Sequence, residues 1–195
     1  KLYLKGYAMT KRIILAVSGS ISAYKSADLT SKLKKKGYDI HVIMTEAAQA
    51  FITPLTLQVL SKNPVHTDVM EEKLAERINH IDLAKETDLF IVAPASANTI
   101  AKLAHGMADN MLTATALALP STTPKLIAPA MNTKMYENPL TKKNLETLQE
   151  VGYQKILPKS GLLACGDTGR GALADIAVII DSIDSALTRK GVYDE

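Results

Sequence analysis

The chain lacks tryptophan and has only two phenylalanines in 195 residues. An interior built on aromatic stacking is therefore excluded. The core has to come from Ile, Leu, Val, Ala and Met, which suits helices packed on a parallel sheet. With a single cysteine, Cys165, no intrachain disulfide can form, and a reducing, cytoplasmic setting is expected. No apolar run approaches the ~20 residues that span a bilayer, so no membrane partner is expected. Residues 1–8 carry no signal-peptide core and read as a leader or start-site extension before Met9, leaving 9–195 as a single domain. No H-x-x-x-H or C-x-x-C spacing occurs, and no metal site is expected. A strong charge of one sign is also missing. The net charge of +3 argues against a nucleic-acid partner, and Lys32, Lys34, Lys35 and Lys36 read as the solvated C-terminal end of a helix.

What is present is an alternation of short apolar runs with longer segments of helical spacing. The runs 12–17, 39–44, 89–93, 125–128 and 154–157 are predicted strands. Helices are predicted over 22–36 (closed by Gly37), 54–60, 98–119, 140–151 (stopped by Gly152) and 176–189. This alternation predicts a three-layer, Rossmann-like α/β fold with a mainly parallel sheet and helices on both faces. In such sheets ligands bind beyond the carboxyl ends of the strands. Those loops begin at Ser18, Thr45, Pro94, Pro129 and Pro158, and the unusual segments of the chain lie in or just beyond them.

Ser18-Gly19-Ser20-Ile21-Ser22 joins the first strand to its helix. A helix start offers unpaired N–H groups, and Ser20 and Ser22 add hydroxyls, so a phosphate suits it. With one glycine the segment is not the dinucleotide pattern and points to a mononucleotide. A tight turn with a serine cap accounts for the same residues. After the third strand, Ser96, Asn98 and Thr99 can each cap a helix, and only one is needed. The surplus suggests ligand contacts. Asn132 stands where a cap belongs, yet a neutral amide there also suits a substrate carboxylate. Met131 and Met135, four apart, can flank an apolar ligand or fill core. Of the histidines, His41 falls inside a predicted strand, His66 and His105 have no polar constellation, and His80 stands beside Asp82. Cys165 begins a run with Gly166, Gly169 and Gly171, read as a tightly turned or mobile loop rather than a regular strand. A thiol there is either reactive or a small buried hydrophobe.

Three segments, Pro94-Ala-Ser-Ala-Asn-Thr, Pro129-Ala-Met-Asn-Thr-Lys-Met and Leu163-Ala-Cys-Gly-Asp-Thr-Gly, occur in this order. Together they resemble the signature motifs of the flavin-dependent cysteine decarboxylases, nearest to the coenzyme A branch acting on 4′-phosphopantothenoylcysteine. The resemblance implies bound FMN contacted by Gly19, Ser20, Ile21, Ser22, Thr45, Ser96, Ala97, Asn98, Thr99 and Ala130. It implies His80, Asn132 and Cys165 as catalytic residues, and Asn132, Met135, Ala164 and Cys165 as substrate contacts. It further implies a homo-oligomer, trimeric or a trimer-based dodecamer, with the site at a subunit interface. Because the chain ends at Glu195, the stand-alone form is implied rather than the one fused to a synthetase. The implied chemistry is redox-assisted: the substrate thiol is oxidised to a thioaldehyde, CO2 leaves, and the enethiolate is reduced to 4′-phosphopantetheine. The motif's usual tryptophan is replaced by Tyr136. A decarboxylase of peptide C-terminal cysteines, a flavin prenyltransferase and a non-catalytic subunit of the same fold are the competing readings.

Overall fold

Alternate residues of a strand point to opposite faces. In the first apolar run this sends Ile13, Leu15 and Val17 into one core and Ile14 and Ala16 into another. A strand buried on both faces belongs in the middle of a sheet. In the computed structural model, which describes residues 10–71, 79–162 and 168–190, β1 (Arg12–Val17) is central. It pairs in parallel with β2 (Asp39–Met44) on one side and β4 (Leu89–Ala95) on the other. The outer strands are β3 (Val65–His66), β5 (Lys125–Pro129) and β6 (Tyr153–Lys155). The order is β3-β2-β1-β4-β5-β6, parallel throughout. This is the doubly wound order, with its reversal between β1 and β4.

Helices cover both faces. On one, α1 (Lys25–Lys35), α3 (Pro54–Ser61) and α9 (Ile176–Lys190) bury Leu29, Leu33, Leu57, Ile179 and Ile183. On the other, α4 (Asn79–Lys85), α5 (Ala97–Ala104), α6 (Met111–Ala118) and α8 (Pro139–Glu150) contribute Leu83, Ile100, Leu112, Leu145 and Leu148. Two short helices, α2 (Glu46–Gln49) and α7 (Thr133–Glu137), follow β2 and β5. Among the described residues no helix is long and apolar enough to cross a membrane.

Several sequence expectations are corrected. The helix expected over 98–119 is two helices: Gly106 turns the chain at φ +64°, and Asn110 restarts it with a capping box to Thr113. The first turn of the helix expected from residue 22 is a 3-10 turn, Ile21–Tyr24. The strand expected to stop before Pro94 runs through it, because the ladder to β5 shifts register between Val92 and Ala95. The glycine-rich run is not all loop. Thr168–Ala172 (β8) pairs antiparallel with Lys159–Leu162 (β7), with a register shift at Lys159/Ser160.

One residue fixes how the two halves meet. Ser18 is fully buried where β1 ends. Its hydroxyl donates to the Pro94 carbonyl at 2.8 Å and accepts from the Ser96 amide at 2.8 Å. Its own amide also donates to Pro94, at 3.2 Å. Ser18→Ala removes the acceptor of the Ser96 amide. We expect a loss of about 1–3 kcal/mol in urea unfolding; an unshifted midpoint would show that the latch contributes nothing.

Candidate active site

The reversal between β1 and β4 opens a cavity of about 520 Å³. Its walls come chiefly from the loops after β1, β4 and β5. Gly19, Ser20, Ile21 and Ser22 line it after β1, Ser96 and Ala97 after β4, and Ala130, Met131, Asn132 and Met135 after β5. Gly171 and Ala172 of β8 close one side, and Tyr24, Lys25 and Phe51 stand with them.

Local hydrogen bonds explain these positions. The Ser20 hydroxyl caps the 3-10 turn by accepting from the Ser22 amide at 3.3 Å. The Ser96 hydroxyl caps α5 through the Thr99 amide, also at 3.3 Å. Asn132 caps α7, its Oδ1 accepting from the Lys134 amide at 2.8 Å, which fixes the orientation of the side-chain amide. Capping and lining the cavity therefore coexist at Ser20, Ser96 and Asn132. Gly19 has a further reason to lack a side chain: a Cβ there would stand 2.5 Å from that of Ala47 in α2. Its smallness thus serves the packing of the loop after β1 against the loop after β2.

The ribbon β7–β8 sits directly on the asparagine loop. The Met131 amide donates to the Gly171 carbonyl at 2.9 Å. A Cβ on Gly169 would strike Thr133, and one on Gly171 would overlap the Met131 carbonyl oxygen. The two glycines lie two apart, on one face of the strand. Thr133 Oγ1 is buried beneath this contact with no hydrogen-bond partner among the described residues. Tyr136 is buried in the second core, and burial pushes its phenol pKa up, opposed by the charge of Arg170.

The remaining sequence candidates fall elsewhere. Thr45 caps α2 through the Ala48 amide at 3.3 Å and does not line the cavity. Neither do Asn98, which is exposed, or Thr99, which is buried. His80 lies in the first turn of α4, off the cavity, and its Nδ1 is buried without a partner among the described residues. Ala164 and Cys165 lie outside the described residues. Among the described residues no cluster of three or more His, Cys, Asp or Glu side chains is arranged to hold a metal ion. Sequence reasoning missed Tyr24, Lys25, Phe51 and Ala172 as parts of this region.

Gly171→Ala tests the ribbon contact. The added methyl meets backbone rather than a flexible side chain, so β8 has to lift from the loop. Amide exchange at Met131 is expected to accelerate at least about tenfold, the equivalent of losing one ordinary hydrogen bond. An unchanged exchange rate would mean the ribbon is held by other contacts.

The chain matches the family described as Flavoprotein over residues 4–188. It is 63% identical over 179 residues to "Probable phosphopantothenoylcysteine decarboxylase" of Streptococcus mutans serotype c, spanning 92% of this chain and 100% of that protein. It is 50% identical over 165 residues to "Coenzyme A biosynthesis bifunctional protein CoaBC" of Bacillus subtilis, spanning 85% of this chain but 40% of that one. Among solved structures it is similar to a mutant PPC decarboxylase complexed with pantothenoylaminoethenethiol, with TM-score 0.83 and 34% identity, covering 90% of this chain and 97% of that one. It is also similar to the FMN-dependent cysteine decarboxylase SpaF, with TM-score 0.81 and 32% identity, covering 93% and 97%.

Proposed function

The chain belongs to the Flavoprotein family, and from that premise we propose that it decarboxylates 4′-phosphopantothenoylcysteine to 4′-phosphopantetheine in coenzyme A biosynthesis, with FMN as cofactor. One observation carries this reading. A single cavity at the sheet reversal joins a phosphate-type turn to Asn132, in a chain 63% identical to the full length of a relative named for that reaction.

The residues present fit a flavin mononucleotide. The turn at Ser20–Ser22 offers backbone N–H groups and hydroxyls for a phosphate. Ala97, Ala130 and Met131 give an apolar wall for a flat ring system. When bound, FMN supplies the oxidation and the re-reduction that frame loss of CO2. The chain supplies orientation and proton transfer. Asn132 holds the substrate carboxylate by hydrogen bonding without a countercharge, so the group that must leave is not over-stabilised. Cys165, in the connection 163–167 between β7 and β8, is assigned the proton delivered to carbon. His80, with an unperturbed pKa near ~6.5 for its residue type, is assigned proton transfer at neutral pH.

His80 does not line its own chain's cavity. That position supports a homo-oligomer, trimeric or a trimer-based dodecamer, in which a neighbouring subunit's His80 completes the site. The single cysteine supports a cytoplasmic setting.

Two experiments test this. Mass spectrometry of 4′-phosphopantothenoylcysteine incubated with the FMN-loaded protein is expected to show the mass of 4′-phosphopantetheine. Persistence of the substrate, with turnover of a peptide ending in cysteine instead, would replace the reading. The shared site is tested by mixing two inactive variants, His80→Asn and Asn132→Asp, under conditions that exchange subunits. Mixed oligomers contain some sites with both native residues, so activity should return to at least about a tenth of wild type, against a loss of about 10²-fold or more in each parent. Mixtures as inactive as their parents would place His80 and Asn132 in one subunit's site or remove His80 from the reaction.

A further inference from the structure

A second cavity, of about 360 Å³, opens at the opposite edge of the sheet from the first. Lys125 and Tyr153 line it, and each is the first residue of its strand, β5 and β6. The cavity described above lies beyond the carboxyl ends of the strands, so the length of β5 separates the two.

Lys125 breaks the pattern of its strand. In register it stands between Phe90 of β4 and Tyr153 of β6. Both of those residues, and Ile127 two places further along β5, belong to the second core. Position 125 is therefore on the core side of β5, where alternation calls for an apolar residue. The ammonium lies 5.9 Å from the centre of the Tyr153 ring. No carboxylate or hydrogen bond holds it among the described residues, and burial alone pushes its pKa down. A lysine that snorkels keeps its head in water and its pKa where it was; this one does not. The Tyr153 hydroxyl also lacks a hydrogen-bond partner among the described residues. Most of the remaining wall is apolar, with Leu103, Met107, Leu117, Leu119 and Val151. Met107, Leu117 and Val151 are exposed and form its rim.

We propose that this cavity is a second binding site and takes a medium-chain monocarboxylate, its head on Lys125 and the Tyr153 hydroxyl and its chain along the apolar wall. Charge complementarity selects this occupant. A partly buried cation without a countercharge gains a charge-assisted hydrogen bond from a carboxylate, and the apolar lining gains from an alkyl chain. An uncharged protein surface laid over the same face would bury Lys125 further and leave it unpaired, which is costly. The volume lies at the small end of the range for ligand sites, about 300–1,000 Å³, and suits a chain of about eight carbons. The site stands apart from the decarboxylase reading and does not depend on it.

The test titrates octanoate, and its neutral counterpart 1-octanol, into the FMN-loaded protein by isothermal titration calorimetry. Wild type should bind octanoate at least about tenfold more tightly than octanol. Lys125→Met keeps the side chain's reach and removes its charge. It should weaken octanoate binding by about 10- to 100-fold, the equivalent of one charge-assisted hydrogen bond, and leave octanol binding unchanged. Met107→Glu, at an exposed rim position, adds a like charge and should weaken octanoate binding too; it serves if Lys125→Met fails to fold. No binding of octanoate to wild type, equal binding of octanol, or octanoate binding unchanged in the folded variants overturns the proposal. Size-exclusion chromatography supplies the remaining outcome: an oligomer broken by Met107→Glu would assign this face to a contact between copies of the chain and overturn the proposal as well.

Discussion

The Ser18 hydroxyl stands where two hydrogen-bonded strands send their chains to opposite faces of the sheet. β1 continues toward α1 in the first core, and β4 continues toward α5 in the second. Past the ladder, one backbone bond, from the Ser18 amide to the Pro94 carbonyl at 3.2 Å, still joins the two chains. Ser18 bridges the Pro94 carbonyl and the Ser96 amide in a fully buried position, where hydrogen-bonding groups are expensive to leave unpaired. The spacing between the Ser20 turn and the Ser96 cap is therefore held by one residue, through its hydroxyl and its amide.

The other walls are set by the absence of side chains. Gly19 admits Ala47, and Gly169 and Gly171 let β8 lie on the loop that carries Asn132. Each contact joins two segments far apart in sequence at a distance that a methyl group would forbid. Glycine usually signals backbone freedom. Here Gly19 and Gly169 signal proximity, and their cost is conformational entropy lost on folding. The return is a cavity whose walls are backbone-tight and change shape little, which is what holding a substrate between two ligand groups demands.

These reasons also separate what the sequence made legible from what it did not. β1 is readable to the residue because a strand buried on both faces appears as an apolar run, and β2 because the turn at Gly37 precedes an alternation, Asp39 to His41, that ends in Val42-Ile43-Met44. β3 is two residues long, too short to carry any period, yet it widens the sheet to six strands. The split at Gly106 was foreshadowed by a turn signal, but the small apolar residues on either side carry a helical pattern straight through it. β8 was misread because glycine at positions 169 and 171 looks like loop composition, whereas the spacing of two marks one face of a strand. The cavity's polar residues were legible because each doubles as a cap, with Ser20, Ser96 and Asn132 all at helix starts. Lys25 and Phe51 were not, since they enter only when β1 and the segment after β2 are brought side by side. His80 shows a different limit: its motif names it, but a single chain's fold leaves it off the cavity, as a residue donated across an interface would be.

The charge layout of the cavity is the last constraint. Exchanging a neutral amide for a cation at position 132 would add a charge-assisted hydrogen bond to the carboxylate, worth about 1.5–3 kcal/mol. That bond is strongest while the carboxylate is intact and vanishes as CO2 forms. It would lower the ground state more than the transition state and slow bond cleavage by roughly 10- to 100-fold at saturating substrate. The one charged side chain among the described lining residues lies away from the asparagine. A neutral amide at position 132 suits a carboxylate that has to leave.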